Sequence, residues 1–278
     1  MIRFGVLGSL EVRTDTGART LKGPKARQVL GLLLMRANEV VDVHELAEEL
    51  WHDNPARNGV GAIRTHVYNL RCALAEAAMT DGVTDLLVTE PTGYLIRLAP
   101  DQLDALRFTQ MVRRGRDLLG NGCVAEAARC LREALSLWQG RALANVSCGP
   151  LLSRHVTYLE ELRVRAIELR VEADMLLGNH RELIAELRAL IAAHPLNEWY
   201  HTQLIDVLYR SGRRGEALLA FHNLRTVLDR ELGLEPSADA RRLQYEILAS
   251  DPEPIPRPRA VARGVVANTA VSGPRPAG

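Results

Sequence analysis

The sequence has little positive charge other than arginine, since Lys22 and Lys25 are its only lysines. It carries 35 Lys and Arg against 34 Asp and Glu in 278 residues. Residues 1–100 hold 11 basic and 12 acidic side chains, residues 101–250 hold 20 of each, and residues 251–278 hold 4 and 2. No segment is broadly basic, so binding to a polyanion would need a local patch instead of bulk charge.

Paired cysteines and long apolar runs are also absent. The four cysteines form no CxxC pair, which argues against a structural metal site and favours buried, reduced thiols. No run approaches the ~20 apolar residues of a membrane span, and no basic segment followed by a long apolar one opens the chain. We therefore expect a cytoplasmic protein without membrane partners.

Signatures of catalysis and of nucleotide binding are missing as well. The eight histidines show no HExxH spacing, and neither a GxSxG elbow nor a GxxxxGK[ST] loop occurs. Residues 59–64, GVGAIR, imitate the start of GxGxxG, but arginine replaces the third glycine. We expect no enzymatic activity, no cofactor and no metal.

The first hundred residues change from strand to helical periodicity and back. Alternating apolar residues predict short strands within 2–21, with a turn at Thr16-Gly17 and a third strand at Arg19–Leu21. Three helices are expected next: one opening at Pro24, one opening at an Asp42–Glu45 capping box, and one from about Val60 to Met79. Two strands, Leu86–Thr89 and Tyr94–Arg97, close a winged helix-turn-helix over residues 1–100.

From Asp104 to Ala249 the pattern is helical and repeats. Units that start at Gly122, Gly178 and Gly212 each place glutamate four residues later and apolar residues at five and nine. The last two glycines lie 34 residues apart (212 − 178), the tetratricopeptide period, whereas a long helix separates the first two. Residues 101–250 are predicted to form an all-α tetratricopeptide-like domain; an unrelated bundle with glycine turns is the alternative.

The expected fold is thus mostly α with small β elements, a winged helix-turn-helix followed by tetratricopeptide-like helices. The final segment, residues 251–278, is rich in proline and has too little apolar material to fold alone. We expect a disordered Pro-rich tail there.

The third predicted helix carries the candidate function on one face. At 100° per residue, the apolar side chains at 63, 67, 70 and 74 form one buried stripe. Guanidinium groups bind guanine edges or phosphates, and shorter polar side chains read other base edges. The polar face opposite this stripe therefore predicts a surface that reads the major groove of double-stranded DNA. The alternative is that this face is merely solvated. Its candidate residues are Arg64, Thr65, Tyr68, Asn69 and Arg71.

Five further positions complete the predicted contact set. Arg57 precedes Arg64 and Arg71 at intervals of seven, so the three follow one edge of the helix and its lead-in. Lys25 begins the first helix, where free N–H groups favour a phosphate. Thr92 and the backbone of Gly93 lie at the tip of the wing. Tyr94 either contacts DNA from the wing or belongs to the core.

Seven segments resemble one family, the Streptomyces antibiotic regulatory proteins, which join an OmpR-type winged helix to a bacterial transcriptional activation domain. The resemblance covers about Ile2 to Leu248. The segments are RFGVLGSLEV at 3–12, GPKARQVLGLLLMRANEVV at 23–41, ELAEELW at 45–51, THVYNLRCAL at 65–74, PTGYLIR at 91–97, ARCLREALSLWQGRAL at 128–143 and ELGLEPS at 231–237.

The resemblance implies an activator of a secondary-metabolite gene cluster, in the short stand-alone form without a receiver domain. It implies binding of the winged helix to tandem direct repeats near promoters, where a second protomer can sit head to tail, and recruitment of RNA polymerase holoenzyme by the helical domain. The family pattern has further basic residues where Asn69, Cys72 and Glu90 stand here, so we expect either weaker, more cooperative DNA binding or a different repeat sequence. A protein-interaction scaffold and a repressor on the same DNA-binding domain are the alternatives.

Overall fold

The chain forms two compact units, residues 1–189 and residues 190–278. The computed structural model describes residues 2–14, 17–19, 21–52, 59–78 and 86–249. The predicted Pro-rich tail lies outside these ranges. The predicted fold class, mostly α with small β elements, is confirmed.

A three-stranded antiparallel sheet opens the first unit. Its strands are β1 (Arg3–Gly5), β2 (Glu11–Thr14) and β3 (Gly17–Arg19), in that order. The prediction placed the third strand at Arg19–Leu21, two residues too late. The reason is the register, because Thr14 pairs with Gly17 and β3 therefore begins at the glycine itself.

The three predicted helices follow, as α1 (Pro24–Met35), α2 (Val43–Trp51) and α3 (Gly59–Ala78). The start of α2 is held by the predicted capping box. The Asp42 carboxylate accepts from the His44 N–H at 2.7 Å, and the Glu45 carboxylate accepts from the Asp42 N–H at 3.0 Å. These bonds satisfy N–H groups that a helix start otherwise leaves free.

A second antiparallel sheet forms the wing, with strand order β4-β6-β5. It consists of β4 (Val41–Asp42), β5 (Leu87–Thr89) and β6 (Gly93–Ile96). The two-residue β4 was not predicted, since so short a strand has no periodicity to detect. It pairs with β6, which makes β6 the central strand and buries all four of its residues.

Helices fill the rest of the chain from Asp104 to Ala249, as predicted. A 3₁₀ turn at Pro100–Gln102 precedes them. In the first unit they are α4 (Asp104–Gly120), α5 (Val124–Leu135) and α6 (Pro150–Leu176), followed by α7 (His180–Ala193). The second unit contains α8 (Glu198–Arg210), α9 (Arg214–Leu232) and α10 (Ala238–Ala249). None of the helices in the described part of the chain is both long enough and apolar enough to cross a membrane.

The three predicted repeat glycines occupy equivalent turns between helices. Gly122, Gly178 and Gly212 have φ of 75°, 80° and 76°, a left-handed backbone that favours glycine. In each turn the N–H after the glycine donates to a carbonyl five residues earlier, as Cys123 does to Leu118 at 2.9 Å. This arrangement closes the preceding helix and reverses the chain. The apolar residues at five and nine are buried in all three units: Ala127, Leu131, Leu183, Leu187, Ala217 and Phe221.

One apolar core runs through the first unit from Ile2 to Leu169. It joins the winged helix to α4, α5 and α6. The loop between α5 and α6 runs beside the start of the chain: the N–H of Gln139 donates to Leu7 O at 2.7 Å and that of Leu143 to Val6 O at 2.9 Å. The winged helix-turn-helix is therefore packed directly against α4, α5 and α6 instead of being tethered to them by a linker.

Candidate nucleic-acid interface

The buried stripe predicted for α3 anchors this helix in the core. Ile63, Val67, Leu70 and Leu74 are each exposed by 5% or less. This prediction is confirmed. Because residues three and four apart share a face, the stripe fixes which side chains point outward.

The outward face of α3 presents polar side chains to solvent. Arg64, Thr65, Asn69 and Cys72 are exposed, and Tyr68 is 67% exposed. The expectation of a buried thiol is therefore wrong for Cys72, because it lies on the face opposite the buried stripe. The Thr65 hydroxyl donates to Gly61 O at 3.1 Å, so its oxygen remains available as an acceptor. Within the described ranges Arg64 makes no hydrogen bond or ion pair. Among the described residues, this face therefore presents the Arg64 guanidinium without a partner beside three exposed polar side chains.

The Arg71 guanidinium connects α3 to the wing. Its Nε and Nη2 donate to Leu87 O at 3.2 and 3.0 Å, and Nη2 also donates to Thr89 Oγ1 at 2.7 Å. Both acceptors lie on β5. Sequence spacing had grouped Arg71 with Arg64 as a DNA reader, but these bonds engage two of its three nitrogens within the protein.

Lys25 lies in the first turn of α1, as predicted, but its ammonium points to another helix. Lys25 Nζ donates to Leu50 O in the last turn of α2 and lies 6.0 Å from the centroid of the Trp51 ring. A cation at a helix C-terminus is stabilised by the helix dipole. The ammonium is thus engaged by α2, not free at the start of α1. Burial of the His66 side chain on α3 lowers its pKa, and the positive charge of Lys25 lowers it further.

The wing ends in a two-residue turn, Pro91-Thr92. The N–H of Glu90 donates to Gly93 O at 3.0 Å, and the N–H of Gly93 donates back to Glu90 O at 3.3 Å. A Cβ on Gly93 would lie 1.9 Å from Val41 O, so only glycine fits beside β4. Thr92 is exposed at the tip, whereas the Gly93 N–H already has its acceptor.

Tyr94 belongs to the core. Its side chain is 7% exposed, and it pairs with Val41 across β4 and β6. Of the two roles left open by the sequence, the DNA-contact role for this side chain is therefore wrong, because the central strand of the wing sheet is covered on both faces. Arg57 lies outside the described residues.

Two family models match the chain, one for each functional half. "Transcriptional regulatory protein, C terminal" matches residues 17–96, and "Bacterial transcriptional activator domain" matches residues 103–248. The chain is 37% identical to regulatory protein DnrI of Streptomyces peucetius, over 90% of this chain and 93% of DnrI. It is 36% identical to regulatory protein AfsR of Streptomyces coelicolor, over 90% of this chain but only 24% of AfsR.

A solved structure has the same arrangement of elements. Mycobacterium tuberculosis EmbR, in complex with a low affinity phosphopeptide, superimposes with a TM-score of 0.83 and 32% sequence identity. The match covers 89% of this chain and 65% of the EmbR chain. This likeness supports the winged helix followed by a helical domain as the fold of the whole matched region.

Fold, interface and comparisons together define a DNA-binding transcription regulator with a winged helix and a bacterial transcriptional activator domain. The chain belongs to the Streptomyces antibiotic regulatory protein family, as its sequence segments indicated. Both matched families are families of transcription regulators, and the chain is a DNA-binding activator of that class.

Sequence reasoning missed two carboxylates that join the winged helix to the helices that follow it. The Asp104 carboxylate accepts from the N–H groups of Val6 and Leu7 at 2.9 to 3.1 Å, and Glu49 accepts from the first turn of α6. Both partners lie about a hundred residues away in sequence, so no local pattern reveals them. The one available signal was that Glu49 is an acidic residue on an otherwise apolar face of α2, between Leu46 and Leu50.

Proposed function

We propose that the protein activates transcription of a secondary-metabolite gene cluster by binding tandem direct repeats near its promoter. The winged helix over residues 1–100 reads the DNA, and the helical domain over residues 101–250 recruits RNA polymerase holoenzyme. Chromosomal DNA as the target puts the site of action in the cytoplasm. The observation that carries this proposal is the outward face of α3, with Arg64, Tyr68 and Asn69 exposed above a fully buried stripe.

The chemistry of that face fits DNA better than a protein surface. A free arginine binds a phosphate or a guanine edge, and an asparagine side chain binds adenine in the major groove. Thr65, Tyr68 and Thr92 add hydroxyl groups that bind phosphate or base edges. With Arg71 and Lys25 engaged within the protein, few cations remain, so binding should be modest per protomer.

Direct repeats provide a way to strengthen modest binding. Two protomers placed head to tail on adjacent repeats can contact each other on the DNA without forming a stable dimer in solution. We therefore expect cooperative binding to two repeats and weak binding to one.

Fluorescence anisotropy with labelled promoter DNA at two salt concentrations tests DNA binding. We expect a salt-sensitive complex at micromolar protein, and Arg64→Ala should lower the slope of log K against log salt by about 0.9 if Arg64 contacts one phosphate. Arg113→Ala, which removes an exposed arginine from α4, is the matched control and should leave the slope unchanged.

The absence of any salt-sensitive complex would contradict the proposal and favour a protein-interaction scaffold. A promoter-reporter assay then tests the direction of regulation and the gene cluster. Reporter output should rise with protein expression and fall with Arg64→Ala, whereas a repressor would show the opposite response.

A further inference from the structure

Glu49 is a buried carboxylate that joins the helix-turn-helix to the activation domain. Its residue is 1% exposed. Its Oε1 accepts from the Gly149 N–H at 2.5 Å, and its Oε2 accepts from the N–H groups of Leu151 and Leu152 at 2.9 and 3.0 Å. Glu49 lies on α2, and its three donors form the first turn of α6.

These hydrogen bonds satisfy both the buried Glu49 carboxylate and the N–H groups at the start of α6. A buried charge is costly unless hydrogen bonds compensate for the lost water, and the first N–H groups of a helix have no partner within that helix. The α6 dipole adds to the attraction. A Cβ on Gly149 would lie 2.3 Å from the carbonyl oxygen of Glu49, so the backbones of α2 and α6 approach each other closely at this point.

The position of Glu49 distinguishes it from the other polar contacts across the first unit. Asp104 and the backbone of Leu143 hold the β1 region of the first sheet. Glu49 instead holds α2, the helix that leads into the DNA-reading helix α3. Packing of Leu152 near Gly31 on α1 is apolar and has little directional preference. Glu49 therefore adds three directed hydrogen bonds between α2 and the start of α6 to the apolar packing of these elements.

From this geometry we infer that Glu49 is a positioning residue, which fixes the orientation of the DNA-reading helix relative to the activation-domain helices. This inference rests on the proposed function for its effect on transcription. In the absence of the Glu49 carboxylate the winged helix still reads its repeats, but α6 is no longer held at a defined angle to α2. Activation should therefore depend on Glu49 more than DNA binding does.

Two native cysteines allow a direct test of orientation in the free protein. Cys72 on α3 and Cys123 in the turn between α4 and α5 are exposed. With Cys130→Ala and Cys148→Ala in the full chain, spin labels at these two sites report their distance distribution. We expect one narrow distribution, which broadens with Glu49→Gln. Glu48→Gln, an exposed neighbour on the same helix, should leave it narrow.

Hydrogen exchange in the otherwise native sequence provides a second measurement that needs no cysteine changes. Coupling between two sites is reciprocal, so DNA bound at α3 should slow exchange of the amides of Leu151 and Leu152 on α6. The Glu49→Gln variant should lose this DNA-dependent slowing, although its α6 remains helical. If Glu49 had a purely structural role at the start of α6, the exchange rates of these amides would not change when DNA binds.

Binding and activation are then compared in the same variants. For Glu49→Gln we expect reporter output to fall about tenfold while the Kd for promoter DNA changes less than about threefold. An unchanged distance distribution would overturn the inference, as would equal losses of DNA affinity and reporter output together with a lower melting temperature. If the wild-type protein neither binds the promoter nor activates it, the proposed function fails, and the distance distribution still decides the role of Glu49 in orientation.

Discussion

The guanidinium of Arg71 donates two hydrogen bonds to the carbonyl oxygen of Leu87, so α3 is joined directly to strand β5 of the wing sheet. A third bond, to the Thr89 hydroxyl at 2.7 Å, extends this contact along β5. Arg64, one heptad earlier on the same helix, makes no such bond to the described residues. Two arginines that look equivalent in the sequence therefore have different local roles.

Substitution of these two arginines should separate stability from DNA binding. Arg71→Ala should lower the free energy of unfolding by about 1–3 kcal/mol, because the part-buried carbonyl group of Leu87 on β5 loses a charged donor. Arg64→Ala should change it by less than about 0.5 kcal/mol, as expected for an exposed side chain. Urea unfolding followed by circular dichroism measures both. Equal stability of the two variants would show that the Arg71 bonds contribute nothing.

Alkylation of Cys72 should block DNA binding, because its thiol lies on the outward face of α3 beside Tyr68. A maleimide group added there would occupy the space that the DNA needs when α3 lies in its major groove. A Cys72→Ser variant should bind DNA after the same treatment, although Cys123 is also exposed and still reacts. We expect anisotropy titrations to show loss of binding only when Cys72 is modified. Undiminished binding by the alkylated wild type would place the interface elsewhere.

Alanine at Gly93 should destabilise the wing. The added Cβ would lie 1.9 Å from Val41 O, so β4 and β6 would have to separate at a cost of about 1–3 kcal/mol. Gly215→Ala is the matched control, since a Cβ there meets nothing within 4 Å and alanine favours the helical state by up to about 1 kcal/mol. Thermal unfolding should show opposite shifts for the two variants. A wing that accepts Gly93→Ala without loss would contradict the close approach.

Mild acid should weaken the fold through His155 on α6. Burial lowers the pKa of His155 below 6.5, and the charge of Arg36 lowers it further. As the pH drops below about 6.5, the unfolded state binds a proton that the folded state does not, so the free energy of unfolding falls. The pKa values of His66 and His201 are also lowered, chiefly by burial, and add to the effect.

The His155→Gln variant isolates this contribution. Its free energy of unfolding should fall less between about pH 7.5 and about pH 5.5 than that of the wild type. Urea titrations at the two pH values provide the comparison. An identical fall in both proteins would show that His155 titrates alike in the folded and unfolded states.

The helices could be predicted closely because their ends are encoded locally. Asp42 and Glu45 form a capping box within four residues, and Gly122, Gly178 and Gly212 adopt the left-handed turns that close helices. The apolar stripe of α3 likewise depends on spacing along one helix. Where a few adjacent residues decide the conformation, the sequence is sufficient.

The site was harder to predict because tertiary contacts decide which side chains are free. Tyr94 is buried because β4, which has two residues, pairs beside it. Lys25 and Arg71 are engaged by carbonyl oxygens on other elements. Glu49 bonds to residues a hundred positions away. The spacing of basic residues along a helix shows where each side chain is attached, but not where its charged group lies, because the side chain is flexible.

The core that runs from Ile2 to Leu169 limits how this protein can recombine with its relatives. A crossover near residue 100 would join a winged helix from one parent to helices that evolved against another, and every apolar contact between them would have to match by chance. Promoter preference in such a lineage would change more easily through point substitutions on the open face of α3. The DNA-reading part and the helices around it should therefore be inherited together.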